Sequence, residues 1–166
     1  VKSEYGNPAV IVETPHVLRR QDAEKFLPKG SMQLLKEYQI FSDGNYFSRF
    51  NVTLSTFTYK SETQIDLHKA LDGGIHTLEL KGAHDVIVKE EEYNTKSGVT
   101  GLKAYGTLTM LDPIRRESMK MYYEILLFGQ QNGLQEILIM HEEGDKAGEE
   151  ITDRILNSVE LKVNAS

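Results

Sequence analysis

The sequence predicts an α+β protein, an antiparallel sheet with helices packed on both faces. Three observations carry that expectation. Four strand-like stretches, residues 85–93, 102–111, 119–128 and 134–141, follow one another across turns marked by Ser97-Gly98, Asp112-Pro113 and Asn132-Gly133. Short turns of this kind favour antiparallel neighbours. Two of the stretches become apolar at both parities, through Ile125, Leu126, Leu127 and Phe128 and through Ile137, Leu138, Ile139 and Met140. Such strands need cover on both faces. Two amphipathic stretches can supply it, one behind Ser61 and one beginning at Glu149.

Each element has its own signal. AVIVE, residues 9–13, reads as a short strand closed by Pro15, and the hairpin at Asp43-Gly44-Asn45 is expected to leave it near a sheet edge. Residues 19–29 are polar, and Pro28-Lys29-Gly30 signals a turn. Met32, Leu34, Lys36, Tyr38 and Ile40 alternate with their neighbours as one face of a strand. Asp43-Gly44-Asn45 tolerates positive φ and marks a hairpin. A second strand, rich in Phe, Val, Thr and Tyr, follows over about residues 46–59.

Ser61-Glu62-Thr63-Gln64 has the form of a capping box. Ile65, His68, Leu71 and Ile75 fall behind it at helical spacing, and Asp72-Gly73-Gly74 is expected to fray or end that helix. Near the C-terminus, Asp145 or Gly148 can cap, and Glu149 and Glu150 suit the positive end of a helix dipole. Ile151, Ile155 and Val159 recur every four residues, with Leu156 beside them. Val159, Leu161 and Val163 then alternate as a closing strand.

The 166 residues suit one domain, with residues 1–45 as a strand-rich extension to a core of about 46–163. No run of about 18 apolar residues is present, so nothing in the chain is expected to span a membrane. The chain opens on valine, so a signal peptide or lipid anchor upstream is an expectation this sequence leaves open. Cysteine is absent, which removes disulfides and thiolate chemistry. The net charge of −6 arises in the second half of the chain. Nucleic-acid binding needs a basic patch, and only the Arg115-Arg116 pair comes near one, so no nucleic-acid partner is expected.

The elements run in the order strand, helix, four-strand meander, helix and terminal strand, with GLKAYGTLTM (residues 101–110), YYEILLFGQQNGLQEILIMHEE (122–143) and EEITDRILNSVEL (149–161) as its most telling segments. That order resembles the PsbP-like family, which shares an α/β/α sandwich. The resemblance covers about two-thirds of the chain and supplies no active-site residue. It implies a non-enzymatic binding or accessory protein, bacterial and exported to the periplasm or cell surface, with an anchor possible upstream. An enzyme of hydrolase type, with a site assembled only by the tertiary structure, and a structural domain of an envelope assembly are the alternatives.

No catalytic, cofactor or metal residue stands out. His68, His76 and His84 are eight apart, whereas ligands on one helix sit three or four apart. The acidic run His141–Glu150 lacks the calcium-loop pattern. Glu90-Glu91-Glu92 reads as a solvated strand end. Neither a G-x-S-x-G elbow nor a glycine-rich phosphate loop occurs. Asn51-Val52-Thr53 is a glycosylation sequon in strand context. The aromatics Tyr38, Phe41, Tyr46, Phe47, Phe50, Phe57 and Tyr59 gather in the first hairpin, as core or as the lining of a groove. Lys36, Glu37, Tyr46, Phe47 and Arg49 are the candidate contacts to a protein partner.

Overall fold

The computed structural model describes residues 1–22 and 30–162. The first strands are β1 (Lys2–Tyr5), β2 (Val10–Glu13), β3 (Arg19–Gln21), β4 (Leu35–Asp43) and β5 (Phe50–Tyr59), with one 3-10 turn at Ser31–Leu34. Helix α1 (Leu67–Leu80) follows, then β6 (Ala83–His84), β7 (Lys89–Asn94), β8 (Thr100–Leu111), β9 (Ser118–Phe128) and β10 (Gly133–Glu142). Helix α2 (Lys146–Ser158) and β11 (Glu160–Leu161) complete the described chain.

The main sheet runs β3-β4-β5-β10-β9-β8-β6, and β7 also pairs with β8. A second sheet runs β1-β2-β11. Every strand pairing is antiparallel. This overturns the expected α/β/α sandwich. The fold is β-rich, with two α-helices among the described residues. The doubly apolar strands do have cover on both sides, but burial is not particular about what supplies it. AVIVE supplies much of it as sheet. It forms the middle strand of the small sheet, paired on both sides, and does not lie at an edge.

Strand alternation divides the interior into two cores. One face of the main sheet presents Ala104, Leu108, Met110, Tyr123, Ile125, Leu127, Leu138 and Met140 to Leu71 and Leu78 of α1. The opposite face presents Val52, Leu54, Leu126, Phe128, Ile137 and Ile139 to Tyr5, Val10 and Val12 and to Ile155 and Leu156 of α2. Fully burying one such side chain is worth roughly 1.5–3 kcal/mol. Residues 1–45 are therefore woven into the interior, since Tyr5, Val10, Val12, Leu18 and Leu35 are all buried.

Helix α1 begins later and ends later than its sequence suggests. Asp66 is the N-cap, and its carboxylate accepts from the amides of His68 (3.0 Å) and Lys69 (3.2 Å). Residues 61–64 precede the helix and do not cap it. The helix also runs through Gly73 and Gly74 to Leu80. Each glycine costs about 1 kcal/mol against alanine in a helix interior. Leu71 and Leu78 pack into the core on either side of the pair and hold the helix across it.

Helix α2 buries Ile155 and Leu156, while Ile151 is half-buried. Asp145 occupies its N-cap position without a side-chain bond to the helix amides. Val159 ends it, and β11 then pairs with β2 through Glu160↔Ile11 and Leu161↔Val10. Neither helix is long and apolar enough to cross a membrane. Pro28, Lys29 and Val163 lie outside the described residues.

Candidate functional site

A groove of about 400 Å³ opens between α1 and the end of the main sheet where β4, β5 and β10 meet. Its helical wall is Ala70, Gly73, Gly74 and Thr77, a stripe of small residues spaced three, four and seven apart, with His76 at the rim. Its sheet wall is Leu35, Phe57, Tyr59 and Leu134, with Leu34 of the 3-10 turn beside them. A smaller chamber of about 70 Å³ lies beside it and shares Phe57, Gly74, Thr77 and Glu136. Tyr46, Thr53, Ser55 and Ile40 line that chamber as well.

Glu136 stands where the two spaces meet. It lies on β10 directly opposite Ser55 of β5, and Ser55 in turn lies opposite Ile40 of β4. The same face of β10 carries Leu134, Leu138 and Met140, so a carboxyl interrupts an apolar row. Its side chain keeps some contact with solvent through the groove, yet protein surrounds it at depth. Burial pushes its pKa up from 4.5 to about 7. Among the described residues nothing forms an ion pair or side-chain hydrogen bond with it.

The surroundings respond to that carboxyl. Burial, with Glu136 adding to it, pushes the Tyr46 hydroxyl up to about 12 and raises that of Tyr59. Gly74 brings the helix backbone close, since a Cβ added there would sit 3.2 Å from Glu136 Oε1. A Cβ added at Gly73 would meet nothing within 4 Å. Any larger residue at either position would occupy the groove or cover the carboxyl.

A second polar cluster lies on the opposite face, below the first turns of α2. The Tyr122 hydroxyl donates to Glu124 Oε1 at 2.6 Å, and Lys103 Nζ is 3.6 Å from the same oxygen. Burial and the adjoining carboxylate hold the Tyr122 pKa well above its ordinary value. His141 Nδ1 donates to the Glu142 carbonyl at 2.9 Å, so Nε2 carries the lone pair in the neutral ring. His141 Nε2 and Glu124 Oε2 are both buried without a partner. The imidazole and the carboxylate are not bonded to each other.

The sequence candidates land apart. Lys36 is the second residue of β4 and is exposed, while Arg49 precedes β5 and lies 3.7 Å from Glu142. The two sit at opposite ends of one hairpin, roughly 25 Å apart by strand rise. Glu37 accepts from Asn7 (2.8 Å) and Gln39 (2.6 Å), which lowers its pKa. Tyr46 and Phe47 pack against the α1 core, so the five do not form one surface. The other hairpin aromatics divide: Phe57 and Tyr59 line the groove, Tyr38 joins the α1 core, and Phe41 and Phe50 join the opposite one.

His68 pairs with Glu90 at 3.1 Å, His84 lies 3.9 Å from Asp85, and His76 reaches the groove rim, so the three histidines do not converge. The described residues contain no group of three His, Asp or Glu placed to hold a metal ion. His16 Nδ1 lies 3.0 Å from Asp43, on the surface. Asn51 of the sequon is buried, with both amide atoms unpartnered. In the acidic run, Glu142 pairs with Arg49 and Glu143 with Lys120 at 3.2 Å.

Two signals could have found the groove. One is the single acid in the series Leu134, Glu136, Leu138, Met140. The other is the small-residue stripe of α1.

Compared with protein-family models and with curated proteins, the chain matches none. Nothing in those comparisons identifies the PsbP-like family.

Proposed function

We propose that the protein is a binding protein that takes a small, largely apolar molecule into the groove between α1 and the main sheet. The observation that carries this reading is the pair Gly73 and Gly74 in the middle of a packed helix. The pair lowers helix stability; Gly73 faces open space, and Gly74 lies close against a carboxyl that has no partner among the described residues. A volume of about 400 Å³ falls within the range of small-molecule sites. The same reading accommodates an accessory role in a cell envelope, an expectation that rests on the PsbP-like resemblance.

Nile red, a neutral apolar dye, is a direct probe. Its fluorescence should rise on titration with the wild-type protein. The variant Gly73→Leu should lose most of that rise, because the new side chain fills the groove. Leucine also favours helix over glycine by about 0.8 kcal/mol, so this variant should fold at least as well as the wild type. Undiminished dye binding in folded Gly73→Leu would overturn the groove as the site.

A further inference from the structure

The apolar groove ends on a group that an apolar ligand cannot satisfy. Resting on the groove reading above, we propose that the ligand carries a protonated primary amine, which seats on the Glu136 carboxylate while an unbranched apolar tail runs out along the groove. Glu136 is the one carboxyl among the described residues lining either space. A carboxylate at this depth is costly unless a cation or hydrogen-bond donors meet it. The described residues provide neither, and a cationic ligand head would supply both the charge and the donors.

The geometry narrows that complement. The inner chamber holds about 70 Å³, room for a head group of one or two heavy atoms. An ammonium has three N–H donors, and the chamber offers the Thr53 and Ser55 hydroxyls as acceptors beside the carboxylate. The rings of Tyr46 and Phe57 line the same chamber, and aromatic faces attract organic cations. Outward from Glu136 the sheet wall is apolar, through Leu35 and Leu134. Head and tail thus have separate, adjoining places. Among the described residues a bare metal ion would find one carboxylate and neutral hydroxyls such as those of Thr53 and Ser55, whereas an alkylammonium uses both compartments.

The test compares two ligands of equal length, hexylamine and hexanol, by calorimetric titration at about pH 8, where Glu136 is mostly ionised. A charge-assisted hydrogen bond should make hexylamine bind the wild type about tenfold more tightly than hexanol. Glu136→Gln should abolish that advantage and leave hexanol binding within about twofold of wild type. Equal affinities in the wild type, or an advantage that survives Glu136→Gln, would overturn the amine. If neither compound binds while Nile red still does so through Gly73, the amine falls and the groove reading stands. If Nile red ignores Gly73→Leu, the groove reading falls, and the amine with it.

Discussion

Replacing Glu136 by glutamine should stabilise the protein, and should do so only when the pH is high enough to ionise the wild-type carboxyl. The folded state holds that proton up to about pH 7, whereas an ordinary carboxyl releases it near 4.5. Between those values the folded protein binds more protons than the unfolded chain. The contribution of this carboxyl to stability therefore falls as pH rises through that window and is level above it. The gap corresponds to roughly 3 kcal/mol as an upper bound, reduced by whatever water reaches the carboxyl through the groove. Glutamine has nearly the same shape and does not titrate, so it escapes this loss. Urea denaturation should give Glu136→Gln a gain of about 1–3 kcal/mol at pH 8 and less than about 1 kcal/mol at pH 5. An equal effect at both pH values, or a gain below about half a kcal/mol at pH 8, would show that Glu136 is not held in a desolvating site. Folding would then not oppose its charge, and the need for an external cation would disappear.

Two other changes probe the opposite face. Ile155→Ala should cost about 2–5 kcal/mol in chemical denaturation, because Ile155 is fully buried beneath α2, and a loss under about half a kcal/mol would refute its part in closing that core. Tyr122→Phe should cost about 1–3 kcal/mol by removing the donor to the buried Glu124 carboxylate, and an unchanged denaturation midpoint would show that Lys103 alone satisfies it.

Much of the strand order is legible in local chemistry. Residues 102–111, 119–128 and 134–141 appear as β8, β9 and β10 within a residue or two, because their apolar parity and bounding turns agree. The stripe of Ile155 and Leu156 likewise appears as a helix packed on the sheet. The kind of cover is not legible. Ile125–Phe128 and Ile137–Met140 demand apolar neighbours on both faces, but the demand is met equally by a helix or by a second sheet. Only the docking of the β1-β2 hairpin on that face and its long-range pairing with β11 decide between them. The path through Gly73-Gly74 fails as a local inference for a related reason: propensity acts on single residues, while Leu71 and Leu78 hold the helix through contacts far away in sequence. Glu136 was hidden by its company. In LQEILIM, residues 134–140, one acid among apolar residues looks like a solvated position; its parity with Leu134, Leu138 and Met140 is the one local sign against that, and the register against Ser55 and the close approach of Gly74 show it turned inward.

The pairing of β11 with β2 has a consequence for the order in which the protein can be assembled. Residues 10 and 11 meet residues 160 and 161, so this contact closes a loop of nearly the whole described chain. Contacts so distant in sequence form slowly, because the entropy of closing the loop is lost before any contact repays it. During synthesis β9 and β10 emerge before α2 and β11, and Leu126, Ile137 and Ile139 then stand without their final cover. That face is the stretch of surface on which a nascent chain of this protein would aggregate, or would be held by a chaperone, until the last turn of α2 and the two residues of β11 arrive.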